Sequence, residues 1–318
     1  MIDSTLAGHY QVVRHLGGGS FGQTFLAKDK HLPGNPLCVI KQLKPKADDA
    51  ETLEIAKRLF NREAETLYKL GNHDRIPRLM AHFEQDGEFY LVQEYIEGRS
   101  LDTEITPGKQ WSEADVVVLL RNTLEVLAFI HQQNVIHRDI KPANLIERAR
   151  DNKIVLIDFG AVKEISNQTA DKLGLRNTET VAIGTLDYMP NEQVAGHPQF
   201  ASDIYAVGMM CLQALTGLTT RDLPKDAQTN EYSCALCSDR AKIRINRGLA
   251  TILDNMVLYD YRQRYQNAAD CFARRWSRSM RMSQQLFPPY CLLTRIPMVT
   301  PMVKLASALK FKPMYRRT

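Results

Sequence analysis

One short segment limits what this chain can fold into more than any other. In residues 135–146, six polar or special residues stand between two apolar pairs, Val135-Ile136 and Leu145-Ile146. Charged side chains between apolar flanks are costly to bury unless they are paired or do chemistry. The pattern therefore predicts a buried polar loop with a chemical role.

Three side chains of this loop suit one kind of chemistry. Asp139 can accept or orient the proton of an incoming hydroxyl, Lys141 can neutralise a moving phosphoryl group, and Asn144 offers an oxygen to a divalent cation. A second acid, in Asp158-Phe159-Gly160, follows the apolar run 154–157. A carboxylate at a strand end beside a flexible glycine is well placed to bind a metal. Asn144 and Asp158 are thus predicted to hold Mg²⁺, with Mn²⁺ as the alternative.

A glycine-rich motif, Gly17-Gly18-Gly19-Ser20-Phe21-Gly22, lies near the N-terminus. Residues without Cβ let backbone N–H groups close onto phosphate oxygens, although the motif alone also fits a plain glycine-rich hairpin. The β-type run Thr24–Ala27 follows it, where a dinucleotide-binding fold needs a helix, which argues against that fold. Lys41 comes nineteen residues after Gly22, at the end of an apolar run. We expect its side chain to face the phosphates.

The helical pattern over residues 51–70 supplies a partner for Lys41. Its apolar face is formed by Leu53, Ala56, Phe60, Leu67 and Leu70. Glu63 falls on this face, whereas Glu65 lies about 140° around the helix from Phe60 and should face solvent. We therefore expect a buried ion pair between Lys41 and Glu63.

Element patterns divide the chain into a β-rich and an α-rich part. The β-type runs of the first part are Tyr10–Val13, Thr24–Ala27, Leu37–Ile40 and Phe89–Val92. From Ser112, a capping-box-like sequence precedes an apolar helix over 116–130, and a second apolar helix over 203–216 ends at Gly217. The polar stretch 219–240 is predicted to be a surface connection.

In their order and spacing these motifs resemble a eukaryotic-type serine/threonine protein kinase of the bacterial kind. The resemblance implies an α+β, two-lobed fold over residues 10–271. An antiparallel β-sheet lobe with one long helix would span about 10–95, and a mainly α lobe would span 96–271. It also implies transfer of the ATP γ-phosphate, with Mg²⁺, to Ser or Thr hydroxyls of proteins. The residues implied to be catalytic are Asp139, Lys141, Lys41 and Glu63.

The same resemblance assigns ATP-binding and structural roles. The residues implied to contact ATP are Leu16, Gly17, Gly18, Gly19, Ser20, Phe21, Gly22, Thr24, Val39, Lys41, Glu94 and Ile96. Gln93 would be the gatekeeper, and the backbone of residues 94–96 would bind adenine as the hinge. The residues implied to be structural are Arg138, Asp203, Glu192 and Arg264. Asp203 would hold the catalytic loop, and Arg264 would pair with Glu192.

Some positions depart from the family pattern. Thr24 and Val39 replace the usual Val and Ala above adenine, which alters this roof but should leave nucleotide binding intact. Pro190-Asn191-Glu192 stands where Ala-Pro-Glu is usual. We expect Asn191 to place a polar amide in a packed position, which would weaken stability and peptide docking.

The 33 residues between Asp158 and Glu192 are long for a loop, as a regulated segment would be. By the resemblance, Thr178 and Thr180 are the expected phosphorylation sites. The phosphate would be added by autophosphorylation, for which two copies of the chain would associate. The phosphates on these threonines could pair with Arg138. The alternative is that both are ordinary solvated loop residues. Lys141 together with Thr185 resembles the Ser/Thr-specific pattern.

The formal charge of +5 is unevenly distributed. Ten of the 41 basic residues and none of the 36 acidic residues fall in 271–318, so 31 basic and 36 acidic residues remain before it. We expect a weakly ordered, solvated basic tail over 272–318. The alternatives are an arm drawn weakly to anionic membranes or other acidic partners, and an out-of-frame terminus. No nucleic-acid partner is expected.

Three features of the sequence indicate the cellular compartment. There is no basic-then-apolar secretory segment at the start, no apolar run near the roughly 18 residues of a membrane span, and only six cysteines. We expect a soluble cytoplasmic protein that works in signal transduction without a transmembrane segment. Two rivals remain open: a pseudokinase acting as a nucleotide-binding scaffold, and a small-molecule phosphotransferase.

Overall fold

A computed structural model describes residues 2–18, 22–43, 50–71, 73–160, 163–164 and 186–272. Several predicted positions lie outside the described residues: Gly19, Ser20, Phe21, Thr178, Thr180, Thr185 and the tail from residue 273.

The first lobe is built on a six-stranded antiparallel sheet. Its strands are β1 (Thr5–Leu6), β2 (Tyr10–Gly18), β3 (Gly22–Asp29), β4 (Leu37–Leu43), β5 (Leu79–Gln85) and β6 (Glu88–Glu94). They are hydrogen-bonded in the order β1-β2-β3-β4-β6-β5. Each of the four predicted β-type runs lies within one of these strands, whereas β1 and β5 were not predicted. In β4, Lys41 lies inside the strand and not at its end, because pairing with β3 and β6 continues to Leu43.

Helix α1 (Ala50–Leu70) packs against this sheet through the face that its sequence period predicts. Phe60, Leu67 and Leu70 are buried, Glu63 is buried among them, and Glu65 is exposed. The amphipathic pattern thus fixes the rotation of the helix about its own axis.

The second lobe is mainly helical. Its helices are α2 (Glu113–Gln132), α3 (Asn191–Val194), α4 (Phe200–Thr216), α5 (Cys234–Ala241), α6 (Arg247–Met256) and α7 (Ala268–Cys271). Its short strands are β7 (Gly98–Ser100), β8 (Val135–Ile136), β9 (Leu145–Arg148), β10 (Ile154–Leu156) and β11 (Lys163–Glu164). The strands pair antiparallel in the order β10-β9-β7, and β11 pairs with β8. The predicted α+β fold of two lobes is confirmed.

Local signals explain where the two long helices of this lobe begin and end. The Ser112 side chain accepts the N–H of Asp115 at 3.2 Å and so caps α2. α4 ends at Gly217, which has the left-handed φ of +67° that a glycine adopts without strain. α4 starts at Phe200, before the predicted Asp203, because a capping box between Gln199 and Ser202 adds a turn.

The stretch 219–240 is more than the predicted surface connection. It includes most of α5, whose Cys234 and Cys237 are 1% and 0% exposed and join the main core. The helix was missed because it has only eight residues and its two buried side chains are small.

The buried apolar residues of the described part of the chain form two clusters. The larger one continues from the inner side of α1 and the sheet into the helical lobe, through residues such as Leu67, Leu91 and Leu127. The smaller one covers the other face of the sheet and includes Val12 and Ile40. Within the described residues, no helix combines the length and the apolar character that crossing a bilayer requires.

Candidate active site

Strand register gathers several of the predicted nucleotide-binding positions on one face of the first-lobe sheet. Thr24 pairs with Lys41, and Val39 pairs with Leu26 on one side and with Gln93 on the other. Because directly paired residues point to the same face, these five side chains form one surface. Gln93 is 5% exposed, as a residue at the back of a pocket would be.

The glycine motif approaches the neighbouring strand very closely. A Cβ atom at Gly22 would lie 2.2 Å from the backbone oxygen of Gln42, so no other residue fits without moving β3 away from β4. Leu16 is 37% exposed at the end of β2, ahead of this glycine segment. The glycine is therefore required by strand packing as well as by any phosphate contact.

Lys41 bridges two carboxylates that come from different parts of the chain. Its Nζ contacts Oε1 of Glu63 on α1 and lies 2.9 Å from Oδ1 of Asp158, which follows β10. Glu63 is buried, while the Asp158 side chain keeps 45% of its surface accessible. The cluster thus has a closed side and an open side, and Asp158 presents its carboxylate on the open one.

Electrostatics fix the charge states of this cluster. Burial lowers the pKa of Lys41, but the carboxylates of Asp158 and Glu63 outweigh burial and hold the pKa above its usual value. Lys41 in turn lowers the pKa of Asp158 to about 2, against the effect of burial. Burial raises the pKa of Glu63, and Lys41 opposes this rise. Lys41 is therefore a cation and Asp158 an anion at neutral pH.

Gly160 allows α1 to approach the end of β10. A Cβ atom at this position would lie 3.2 Å from Oε2 of Glu63 and 3.4 Å from Oδ1 of Asp158. Its N–H also points to Oδ1 of Asp158 at 3.4 Å. Asp158 itself has the left-handed φ of +65°, which is uncommon outside glycine and directs its side chain toward Lys41.

The polar loop brings its predicted chemical residues together. Nζ of Lys141 lies 2.7 Å from Oδ2 of Asp139. Nδ2 of Asn144 donates to the same Oδ2 at 2.9 Å and to the backbone oxygen of Asp139 at 2.8 Å. These two bonds fix the amide orientation, so the oxygen of Asn144 points away from Asp139.

Asn144 and Asp158 lie on adjoining elements. The N–H of Ile157, the residue before Asp158, donates to the backbone oxygen of Asn144 at 2.9 Å. An amide oxygen and an accessible, ionised carboxylate are hard donors of the type that Mg²⁺ prefers. These two residues therefore fit a bound Mg²⁺ in their chemistry.

Asp203 on α4 holds the backbone of the polar loop from inside the second lobe. Its carboxylate accepts the N–H groups of His137 and Arg138, each at 2.9 Å. It also lies 3.0 Å from Nε2 of His131, whose Nδ1 accepts the N–H of Ala268 at 3.2 Å. Because Nδ1 is an acceptor, the ring proton is on Nε2 and is donated to Asp203. The loop is thus tied to α2, α4 and α7.

Two buried residues of the site were given no role by the sequence. His137 is 0% exposed, and its ring meets the Phe159 ring edge-on at 5.0 Å. His131 lies on the predicted apolar helix and contacts Asp203, 72 residues away in sequence. Nothing in the sequence around His131 indicates this contact, whereas the apolar neighbours of His137 and Phe159 could have suggested their burial.

A second ion pair lies deeper in the helical lobe. Arg264 donates to both carboxylate oxygens of Glu192, at 2.7 and 3.2 Å, and Ser202 donates to the same carboxylate. Arg264 also donates to the backbone oxygens of Leu258, Ala201 and Tyr259. The contact expected between residues 192 and 264 is therefore present.

Asn191 does not occupy the packed position that was expected from its departure from the family pattern. It is exposed as the first residue of α3, while the next residue, Glu192, is buried. The expected penalty for a buried amide therefore does not arise. The error came from treating the usual proline as a packing residue, when the first position of a helix also favours proline on backbone grounds.

Comparison with known proteins decides the family. A family model described as a protein kinase domain matches residues 10–277. This chain belongs to the protein kinase family. It is 44% identical over 268 residues to serine/threonine-protein kinase B of Synechocystis sp., a match that covers 83% of this chain and 45% of that protein. It is 38% identical to serine/threonine-protein kinase PknA of Nostoc sp., covering 85% of this chain and 47% of that protein.

More distant kinases also match. Serine/threonine-protein kinase PrkC of Bacillus subtilis is 30% identical, over 85% of this chain and 40% of that protein. The chain spans less than half the length of these three relatives. The two-lobed architecture described above is accordingly that of a protein kinase, in which Lys41 on β4 and Glu63 on α1 of the first lobe meet Asp158 of the second.

Proposed function

We propose that this chain is an ATP-dependent serine/threonine protein kinase. The observation that carries the proposal is the position of Lys41, which contacts Glu63 from α1 and Asp158 from the end of β10 together. A cation held between two lobes in this way can position the phosphates of a nucleotide in the cleft. The rival pseudokinase function has no observation in its favour.

Each residue of the site has a defined part in this proposal. Mg²⁺, when held by Asn144 and Asp158, supplies positive charge to the ATP phosphates. Lys41 positions the phosphates, and Glu63 holds Lys41 in place. Asp139 orients the Ser or Thr hydroxyl for in-line attack, and Lys141 neutralises charge on the transferred group. The proton of the hydroxyl is accepted at Asp139, 2.7 Å from Lys141.

The proposal extends to regulation of the kinase by phosphorylation at Thr178 and Thr180. Arg138 supports it, because this residue is 6% exposed and its Nε has no hydrogen-bond partner among the described residues. Burial lowers the pKa of Arg138, and the nearby cation of Arg62 lowers it further. A phosphate between the two guanidinium groups would stabilise both charges.

The wider setting of the kinase is proposed from the same chemistry. Its substrates would be proteins that present Ser or Thr, and modification of one copy by another would require brief self-association. We place the activity in cytoplasmic signal transduction. The kinase domain is taken to cover residues 10–271.

Transfer of labelled phosphate tests the proposal directly. The full chain is incubated with Mg²⁺, radiolabelled ATP and casein, beside Lys41→Met, Asp139→Asn and the control Lys30→Met, an exposed lysine in the turn after β3. The wild type and the control should transfer label, and the two site variants should not. Wild-type protein that binds ATP but transfers nothing would overturn the kinase function in favour of the pseudokinase.

Mass spectrometry of the labelled products tests the regulatory part. Phosphate on Thr178 or Thr180 in the wild type, and none in Asp139→Asn, is expected. An active kinase with neither threonine modified would refute autophosphorylation at these positions while leaving the transfer activity intact.

A further inference from the structure

The segment after α1 fastens the first lobe to the second. The N–H of Leu156 in β10 donates to the backbone oxygen of Arg75 at 3.1 Å. The ring of His73 stacks on Phe129 of α2 at 4.2 Å. The Arg75 side chain lies 3.0 Å from Glu125, also on α2. The C-terminal end of α1 is therefore held by contacts of several kinds.

One arginine makes the strongest polar link in this region. Arg148, at the end of β9, is 7% exposed, and its guanidinium forms hydrogen bonds with Asp74. It donates to Oδ2 of Asp74 at 2.9 Å, to Oδ1 at 3.2 Å and to the backbone oxygen at 2.7 Å. Arg150 also lies 2.7 Å from Asp74, and Lys153 lies 3.9 Å from it. The Arg148 side chain is buried while that of Asp74 is 53% exposed, and a two-pronged contact of this kind fixes orientation as well as distance.

The same guanidinium has a second carboxylate partner that lies within its own hairpin. Asp151, in the turn between β9 and β10, accepts from Nε of Arg148 at 2.9 Å and from a terminal nitrogen at 2.6 Å. Asp151 therefore contacts Arg148 only within the hairpin, whereas Asp74 connects Arg148 to the segment after α1. The two acids touch one cation but join it to different parts of the molecule.

The hairpin that carries Arg148 also presents the two residues proposed to hold the metal. β9 begins directly after Asn144, and β10 ends two residues before Asp158. On the other side of the link, Asp74 follows α1, which carries Glu63. Because a helix and a paired hairpin move as stiff units, the contact between them limits where Glu63 can lie relative to Asp158.

We propose that Arg148 and Asp74 are positioning residues, which set the place of α1 so that Glu63 meets Lys41 beside Asp158. The inference deepens the proposed kinase function and rests on it. The α1–hairpin latch, meaning the contact between Asp74 and Arg148, acts through Glu63 and touches neither nucleotide nor substrate.

A matched pair of variants isolates the latch. Asp74→Asn removes the carboxylate on the segment after α1, and Asp151→Asn removes the carboxylate within the hairpin; both take one negative charge from the same guanidinium. In the full chain, Asp74→Asn should lower kcat by about tenfold, because small displacements of a positioning group have large effects on rate. Asp151→Asn should change kcat by less than about twofold, even if it lowers thermal stability equally.

A double-mutant cycle asks whether the latch acts through Glu63. In a Glu63→Gln background, Asp74→Asn should lower kcat by less than about twofold, since the group it positions is already disabled. Equal loss from Asp74→Asn and Asp151→Asn would reduce the latch to a structural contact and overturn the inference. Full additivity with Glu63→Gln, or a rise in kcat on breaking the latch, would overturn it too.

Hydrogen exchange tests the latch independently of kinase activity. Asp74→Asn should speed exchange of backbone amides in residues 62–70 of α1 and leave α4 unchanged, while Asp151→Asn should leave both unchanged. Unchanged exchange in α1 would refute the latch. Should the wild type transfer no phosphate, the proposed function would fail, and this measurement would still decide the latch on its own.

Discussion

Two buried pairs of a basic residue with a glutamate, both among the described residues, differ in their surroundings. Arg264 and Glu192 lie wholly within the second lobe, with side chains 1% and 6% exposed. Lys41 and Glu63 join β4 to α1, and Lys41 also reaches Asp158, whose side chain is 45% exposed. The first pair is closed on all sides, and the second opens toward solvent through Asp158.

The partners of each cation account for the difference. Besides Glu192, Arg264 donates to three backbone oxygens and lies over the ring of Tyr205 at 4.7 Å, so its role is structural. Lys41 has carboxylates as partners, and one of them is accessible. A buried charge surrounded by fixed donors and acceptors stabilises one conformation, whereas an accessible charged cluster can take in a charged ligand.

Removing the cation of the open pair should have the largest effect, and on catalysis. Lys41→Met is expected to lower phosphate transfer by about 10³-fold or more, because the group that positions the ATP phosphates is lost. Its cost in stability should be smaller than that of the closed pair, since Glu63 can take up a proton and Asp158 faces solvent. Transfer assays and urea unfolding on the same preparation check both parts. A variant with near-normal transfer would contradict the role of Lys41.

Removing the cation of the closed pair should instead affect stability. Among the described residues, Arg264→Met leaves the buried Glu192 with Ser202 as its side-chain donor, and truncating one partner of such a pair costs about 3 kcal/mol. Urea unfolding would measure the loss. A change below about 1 kcal/mol, with the same unfolding slope, would show that the closed pair contributes little and would remove the contrast.

The pH dependence of stability should separate the open cluster further. The pKa of Asp158 is held at about 2, below its ordinary 3.8, so its stabilisation is present above pH 4 and is lost as the pH falls toward 2. With nearly half of the side chain accessible, solvent screening reduces this contribution to about 1 kcal/mol. The stability advantage of wild type over Asp158→Asn should therefore shrink between about pH 4 and pH 2. An advantage that grows on acidification would contradict this assignment.

The smallest effect is expected beside the closed pair, at Asn191. Asn191→Pro restores the residue that is usual in the family, at the first position of α3, where a proline costs no helix hydrogen bond. The preceding Pro190 has an extended ψ of 162°, which a following proline accepts. The free energy of unfolding should change by less than about 0.5 kcal/mol. A gain above 1 kcal/mol would mean that the amide is strained after all.

Patterns of local period predicted much of the site. The spacing of α1 identified Glu63 as an inward carboxylate, and the polar loop stood out because its residues interrupt an apolar sequence. Both signals depend on neighbours within one or two turns, where periodicity is reliable. The fold class followed from the resemblance built on these motifs.

Contacts over long sequence distances could not be predicted in the same way. Arg148 and Asp74 are 74 residues apart, and either would pass for a solvated surface charge. β5 was missed although His82 and Glu84 alternate with apolar residues as in a half-buried strand, because this alternation is only a few residues long. Whether Asn191 faced the core depended on how α3 packs, which its four residues do not indicate.

Gly160 has no side chain to separate α1 from the end of β10. The gap is narrower than a methyl group requires at van der Waals contact, because Oε2 of Glu63 lies only 3.2 Å from where a Cβ atom would be. Side-chain volume at position 160 is thus a built-in gauge of how near the helix can come. Replacing Gly160 by alanine and then by valine would displace Glu63 in steps, so that the size of one side chain would set the distance between α1 and the end of β10.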